Sequence, residues 1–109
     1  MPALSTVLLP DALRSIDSAT FTGNYQAVGT GLANGARIIK FTNNSSVAVT
    51  ISWDGVNDND ILPANSFLLL DVSSNRENTC YLEIKVGTQF YAKGASGTGS
   101  LYISVYYGR

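Results

Sequence analysis

The residues best suited to chemistry form one cluster, in which Asp54 to Asp60 (DGVNDND) place three carboxylates and two amides within seven positions. Carboxylate and amide oxygens are the ligands that Ca²⁺ prefers. An EF-hand loop needs such residues at alternate positions. Counting from Asp54 places Val56 third, and counting from Asp58 places Leu62 fifth. We therefore predict turn chemistry around Asp54-Gly55 rather than calcium binding, and assign no metal and no cofactor.

A carbohydrate site is the alternative use of this loop, because Trp53 could form an aromatic platform beside Asp54 and Asp58. The strand pattern opposes it. In VAVTISW, Trp53 is in phase with Val49 and Ile51, so the period-two alternation predicts that all three lie in the core. A carbohydrate-binding module that uses the 54–60 loop stays open as an alternative function.

Catalytic groups are scarce. The chain contains no histidine and one cysteine, which removes histidine-dependent nucleophilic catalysis, the commonest metal ligand and a thiolate zinc cluster. The glycine-rich GTGLANG precedes a predicted strand, so it offers no helix N-terminus to a phosphate. Paired carboxylates are the one remaining catalytic route. We predict that the protein is not an enzyme.

The charge pattern bears on partners. Seven Lys and Arg against eight Asp and Glu give a net charge of -1, and the basic residues are scattered, so we expect no nucleic-acid partner. No run approaches the length of a membrane helix, so we expect no membrane partner. Only 14% of the residues are charged, which favours a protein packed against other chains, as a homo-oligomer or a repeated subunit.

Strand signals dominate the rest of the chain. SLYISVYY alternates with Leu101, Ile103 and Val105 on one face, and ARIIKFT is similar. SFLLLDV contains a short continuous apolar run, which predicts a strand buried on both faces. TNNSS, at 42–46, predicts a turn. This spacing indicates an all-β fold, an antiparallel β-sandwich of jelly-roll type with seven or eight strands. We predict an extended N-terminal arm over 1–18 and the sandwich over 19–109.

The arm has the apolar sequence LSTVLLP and no basic stretch typical of a signal peptide, so we expect synthesis and retention in a cytosol. It is tied down either on its own sandwich or on a neighbouring subunit. Tyr102 and Tyr106 share a strand face that is either covered or an interface, where tyrosine is enriched. The candidate partner contacts are therefore Leu4, Val7, Leu8, Leu9, Asp58, Asp60, Tyr102 and Tyr106.

A resemblance adds to these expectations. The string RIIKFTNNSSVAVTISWDGVNDNDILPANSFLLLDVSSN, followed by GTQFY and GTGSLYISVYY, resembles small all-β proteins from the structural modules of tailed bacteriophages, over residues 36–107. The resemblance implies an accessory virion component made in the cytoplasm of the bacterial host. Such a component decorates or cements the capsid by binding the major capsid protein, or serves as a head–tail adaptor or fibre-attachment module among tail proteins. It implies no catalytic residues.

Overall fold

The computed structural model describes residues 7–72 and 83–108, and it confirms the all-β antiparallel sandwich. Within these residues there are nine strands and one turn of 3-10 helix, Ser18–Thr20. The strands are β1 (Leu8–Pro10), β2 (Arg14–Asp17), β3 (Gln26–Ala27), β4 (Ala36–Ser45), β5 (Val49–Ser52), β6 (Asp60–Leu62), β7 (Ser66–Asp71), β8 (Tyr91–Lys93) and β9 (Gly99–Gly108).

Two antiparallel sheets form the sandwich. The first sheet has the order β1-β9-β4-β7, and β2 also pairs with β9. The second sheet has the order β3-β8-β5-β6. The chain changes sheet at most of its connections, which is how a sandwich buries the inner faces of both sheets. In the part of the chain described here, no helix is long and apolar enough to cross a bilayer.

The core lies between the inner faces, as the alternation in β4 and β9 predicts. Leu101, Ile103 and Val105 are all buried, and they face the inner residues of the second sheet. Phe41 of β4 meets Phe90 edge-on, with ring centroids 5.2 Å apart and an interplanar angle of 89°. This geometry is favourable for aromatic pairs and joins the first sheet to the chain that enters β8.

The N-terminal segment belongs to the first sheet over its described part. Leu9 pairs with Tyr107 and Ile16 with Leu101, so β1 and β2 follow each other along one edge of β9. Of the two predicted attachments, residues 8–17 take the one on their own sandwich. Ordered backbone pairing of this kind explains why part of the arm has buried side chains, Arg14 and Ser18.

Buried Arg14 fastens this segment to the loop before β4. Its guanidinium donates to the carbonyl oxygens of Ala12, Thr30 and Gly31 at 2.8, 2.8 and 3.0 Å. Gly29 has a φ of +65°, and a Cβ there would lie 2.7 Å from Cγ of Arg14. Glycine is therefore required where the loop crosses the arginine stem.

The predicted turn at TNNSS is wrong, because β4 continues through it to Ser45. Asn43 is 1% exposed, and its Nδ2 donates to the carbonyl oxygens of Val47, Leu62 and Pro63 at 2.9, 3.1 and 3.0 Å. Asn43 thus joins β4 of the first sheet to the end of β6 in the second. The sequence rule that asparagine favours turns gives way here to a buried polar contact.

The prediction that SFLLLDV is buried on both faces is also wrong. Burial alternates along β7, and the side chains of Phe67 and Leu69 are 64% and 52% exposed. Leu68 and Leu70 point inward and pack against the core. Each strand of a two-layer sandwich has only one face to bury, and the apolar run from Phe67 to Leu70 gives no alternation from which to infer that face.

Candidate functional site

On the outer side of the first sheet, apolar side chains of several strands meet. Cross-strand pairing places its residues in three rows. The first row is Pro10, Tyr106, Ile38 and Asp71; the second is Ser104, Lys40 and Leu69; the third is Ser15, Tyr102, Thr42 and Phe67. Residues directly opposite each other in an antiparallel sheet share a face, so these side chains form one continuous surface, hereafter the outer face.

Aromatic and aliphatic groups dominate the outer face at its two sides. Phe67 and Leu69 lie on β7 at one side, and Tyr106 lies with Pro10 at the other. Lys40 stands between them, and its Nζ lies 5.2 Å from the centroid of the Phe67 ring. A single cation with its stem along an aromatic ring leaves the apolar surface largely uncovered. Surfaces with this composition are typical of protein–protein contacts.

Tyr102 and Tyr106 both lie on the outer face, as their spacing predicts. Each is half-buried among its cross-strand neighbours, Thr42 and Ser15 for Tyr102, and Ile38 for Tyr106. A shallow cleft of about 170 Å³ lies beside Tyr106 and is lined also by Pro10 and Leu13. Tyrosine in such a position offers a large apolar area and a hydroxyl at low entropic cost.

The predicted partner contacts in the N-terminal segment do not all lie on the same face of the sheet. Leu8 is 51% exposed and pairs with Gly108, which places it beside the row of Tyr106. Val7 is 52% exposed, and Leu9, opposite Tyr107, is half-buried on the other side of the strand. Leu4 lies outside the described residues. The structure therefore brings Leu8, Tyr102 and Tyr106 to one face.

Asp58 and Asp60 lie elsewhere, near the second sheet. Asp58 accepts a hydrogen bond from the Tyr25 hydroxyl, and its Oδ1 lies 3.2 Å from Nζ of Lys93. Asp60 begins β6 opposite Ile51 and is half-buried. The eight predicted contacts therefore do not form a single site.

The Asp58 cluster attaches the acidic loop to the second sheet. Nζ of Lys93 also lies 4.5 Å from the centroid of the Tyr25 ring. Partial burial, followed by the hydrogen bond to Asp58, raises the pKa of Tyr25 to about 12. The Tyr25 hydroxyl and then Lys93 lower the pKa of Asp58. All three groups are occupied with one another, which is the arrangement of a structural contact.

The predicted turn chemistry at Asp54-Gly55 is confirmed. Oδ1 of Asp54 accepts hydrogen bonds from the backbone N–H groups of Val56 and Asn57, both at 2.8 Å, and Oδ2 accepts one from Nδ2 of Asn57 at 2.7 Å. Gly55 takes a φ of +80°. These donors, the backbone of Asn57 first, hold the pKa of Asp54 well below its ordinary value. Both carboxylate oxygens are thus used inside the loop.

The prediction of a core Trp53 is wrong, since β5 ends at Ser52 and the Trp53 side chain is 36% exposed. The Ser52 hydroxyl accepts from the backbone N–H of Gly55 at 2.9 Å and starts the turn one residue before the alternation would predict. The Trp53 ring meets Phe90 edge-on at 5.1 Å. It forms one wall of a cleft of about 480 Å³ whose other walls are mainly Leu70, Val72 and Ile84.

The acidic residues do not assemble into a metal-binding group. Within residues 7–72 and 83–108, no three His, Cys, Asp or Glu side chains converge as a metal site requires. The cleft beside Trp53 is lined by the apolar side chains of Leu70, Val72 and Ile84 together with Glu83, Lys85 and Thr88. None of the 54–60 carboxylates lines it, so the acidic loop and this cleft are separate features.

Sequence reasoning missed Phe67 and Leu69, which carry the most exposed apolar area on the outer face. It assigned both to the core because every residue from Phe67 to Leu70 is apolar. The one signal in the sequence was the carboxylate of Asp71, which is in phase with both residues. A charged residue at period two from an apolar residue favours a solvent-facing side of a strand.

No protein-family model matches the chain, and neither a curated protein nor a solved structure is significantly similar to it.

Proposed function

We propose that this protein is a non-enzymatic structural component of a tailed-bacteriophage virion. In this role it decorates or cements the capsid by binding the major capsid protein through the outer face. The observation that carries the proposal is the aromatic and aliphatic outer face of the first sheet, which no described segment of the chain covers. The resemblance of residues 36–107 to virion proteins supports the choice of partner.

The composition of the outer face supports a protein partner over other ligands. Tyr102, Tyr106 and Phe67 supply aromatic area, and Lys40 is the one cation in the three rows. Aromatic residues are enriched and charged residues depleted at the centres of protein interfaces. An open sheet face suits a broad protein contact better than a small molecule, which requires a concave pocket.

The second sheet is the less suitable face. Its outer side carries Thr50 and Lys93 opposite one another, and Ile61 as an exposed apolar residue. The ion pair of Lys93 with Asp58 borders it. Ile61, which is 69% exposed, therefore serves as a matched control position for substitutions on the outer face.

Binding to capsid shells tests the proposal. Shells that lack the protein are mixed with the wild-type chain, with Tyr106→Lys and with Ile61→Lys, and the bound fraction is measured by co-sedimentation. We expect Tyr106→Lys to weaken binding by about 30-fold, because loss of an aromatic interface contact costs about 2 kcal/mol. Ile61→Lys keeps the wild-type affinity. Equal binding of all three proteins would exclude the outer face as the binding surface.

The tail is the alternative location within the same class, since an adaptor or fibre-attachment module needs the same sandwich. Electron microscopy of particles that carry a labelled chain distinguishes the two locations. Label over the shell supports decoration, whereas label confined to the portal vertex or tail supports the adaptor.

A further inference from the structure

Among the residues that the structure describes, strand β7 lies at an edge of the first sheet. It pairs with β4 on one side, and among residues 7–72 and 83–108 no strand pairs with its other side. Edge strands in soluble proteins are usually protected by lysine, proline, a bulge or a short length. From Ser66 to Leu70, β7 has neither a charged residue nor a proline. Such an edge is suited to pairing with another strand.

The backbone groups on this edge can be assigned from one hydrogen bond. The backbone N–H of Val72 donates to the carbonyl oxygen of Arg37 at 2.8 Å, so Val72 points toward β4. Successive residues of a strand direct their N–H and C=O groups to opposite sides. Phe67 and Leu69 therefore direct theirs away from β4, toward the unpaired side.

The same two residues carry the exposed apolar side chains of β7. Phe67 is 64% exposed and Leu69 is 52% exposed. A strand added beside β7 would therefore satisfy unpaired backbone groups and cover apolar surface at the same positions. This coincidence distinguishes β7 from β6, the corresponding edge of the second sheet, which is three residues long and starts with Asp60.

We propose that β7 pairs antiparallel with β7 of a second copy of this chain, about a twofold axis at Leu68. In this register Phe67 lies opposite the partner's Leu69, and Leu69 lies opposite the partner's Phe67. Each of these two pairs exchanges two backbone hydrogen bonds. An interface of this type is isologous, which is the commonest arrangement in homodimers.

The alternation of β7 selects this register. Because side chains alternate along a strand, an alternative register that keeps both outer faces on the same side must differ by two residues. One such shift places Phe67 opposite Asp71 of the partner subunit, and the other places Leu69 opposite Asn65 of the partner subunit. Each shifted register keeps one apolar pair, Leu69 with the partner's Leu69 or Phe67 with the partner's Phe67. Only the register about Leu68 places both Phe67 and Leu69 opposite apolar side chains. The edge is therefore complementary to itself, which is the reason to assign a second copy as its occupant.

The pairing would join two outer faces into one. The combined sheet would run β1-β9-β4-β7 and then the same strands in reverse order in the partner. Tyr102 and Tyr106 of both copies would lie on one side of it. Dimerisation is independent of the virion role, and the two proposals fail separately.

Sedimentation velocity measures the dimer directly. We expect the wild type to sediment as a dimer, and Leu69→Lys to raise the dissociation constant by about 100-fold, because each dimer would contain two new charges worth about tenfold each. Ile61→Lys, a change at a more exposed position in β6, keeps the dimer. A monomeric wild type, or a Leu69→Lys dimer of unchanged affinity with an unchanged melting temperature, overturns the proposal.

Disulfide trapping tests the register, in a Cys80→Ser background. Directly opposed residues of a hydrogen-bonded pair have Cα atoms about 5.5 Å apart, within the range that a disulfide spans. A mixture of Phe67→Cys and Leu69→Cys chains is therefore expected to cross-link on oxidation. Each single variant alone places its two thiols diagonally and cross-links at least about tenfold less. Equal cross-linking by a single variant overturns the register.

The shell-binding assay separates this proposal from the virion role. If the wild type is a dimer that does not bind shells, the pairing of β7 is supported and the proposed virion function is contradicted. A monomeric wild type overturns pairing between copies, and a loss of shell binding in Leu69→Lys then reports on the outer face, on which Leu69 lies.

Discussion

The Nε of Arg14 lies 2.8 Å from the carbonyl oxygen of Thr30, sixteen residues away, and thereby joins the N-terminal segment to the loop before β4. We expect Arg14→Met to reduce the free energy of unfolding by about 2–4 kcal/mol, because it leaves three partly buried carbonyl groups without this donor and removes the cation 3.7 Å from Asp11. Urea denaturation measures the change. Lys85→Met, an exposed substitution, should cost no more than about 0.5 kcal/mol. A loss below about 1 kcal/mol for Arg14→Met would contradict the role of this clamp.

A second prediction concerns Asn43, which joins β4 of the first sheet to the end of β6 in the second. We expect Asn43→Ala to destabilise the protein by about 2–3 kcal/mol, since the carbonyl groups of Leu62 and Pro63 would lose their donor. Asn44→Ala is the matched control, because its side chain is exposed on the neighbouring position of the same strand. Thermal or chemical unfolding of both variants measures the difference. Similar stabilities of the two variants would show that the contact of Asn43 with the end of β6 does not stabilise the fold.

The turn at Asp54 should make part of the folding stability depend on pH in the acid range. The pKa of Asp54 is 3.8 in its ordinary state and lower in the folded loop, so the unfolded chain binds this proton more tightly. The stabilisation is therefore present above pH 3.8 and is lost as the pH falls through the lower folded value. We expect Asp54→Asn to be less stable than the wild type at neutral pH and closer to it in acid.

Unfolding curves at a series of pH values measure this effect, with Asp60→Asn as a control from the same loop. A stability difference between Asp54→Asn and the wild type that stays constant from neutral pH into the acid range would contradict the assignment.

Trp53 is the single tryptophan, so its fluorescence reports directly on the end of β5. We expect acrylamide to quench the native emission to an extent between those of free tryptophan and a buried one, because the side chain is 36% exposed and rests edge-on against Phe90. Phe90→Leu should increase the quenching by removing the ring beneath it. Native emission that resists quenching would place Trp53 in the core.

The alternation of β4 and β9 could be inferred from the sequence because each strand has one core face and one mixed face. The turn at Asp54-Gly55 could be inferred because its donors and acceptor lie within three residues of one another. Both features could be predicted because the residues that cause them are close together in the sequence.

Other features depend on residues that are distant in the chain. Arg14 is buried only because the loop around Gly31 folds over it, and Asn43 is buried because β6 ends beside it. The exposure of Phe67 follows from its place on the outer face of a two-layer sandwich, which an apolar run does not reveal. The sequence therefore predicts the outer-face positions of Tyr102 and Tyr106. It does not predict those of Phe67 and Leu69.

Quantitative mass spectrometry of purified virions tests the central claim most directly. Particles are produced with the wild-type chain, with Tyr106→Lys and with the Ile61→Lys control, and the copies of the chain are counted relative to the major capsid protein. We predict that the wild type and Ile61→Lys are incorporated equally, and that Tyr106→Lys falls by at least about tenfold while its melting temperature is retained. Absence of the wild-type chain from virions, or full incorporation of Tyr106→Lys, would contradict the account.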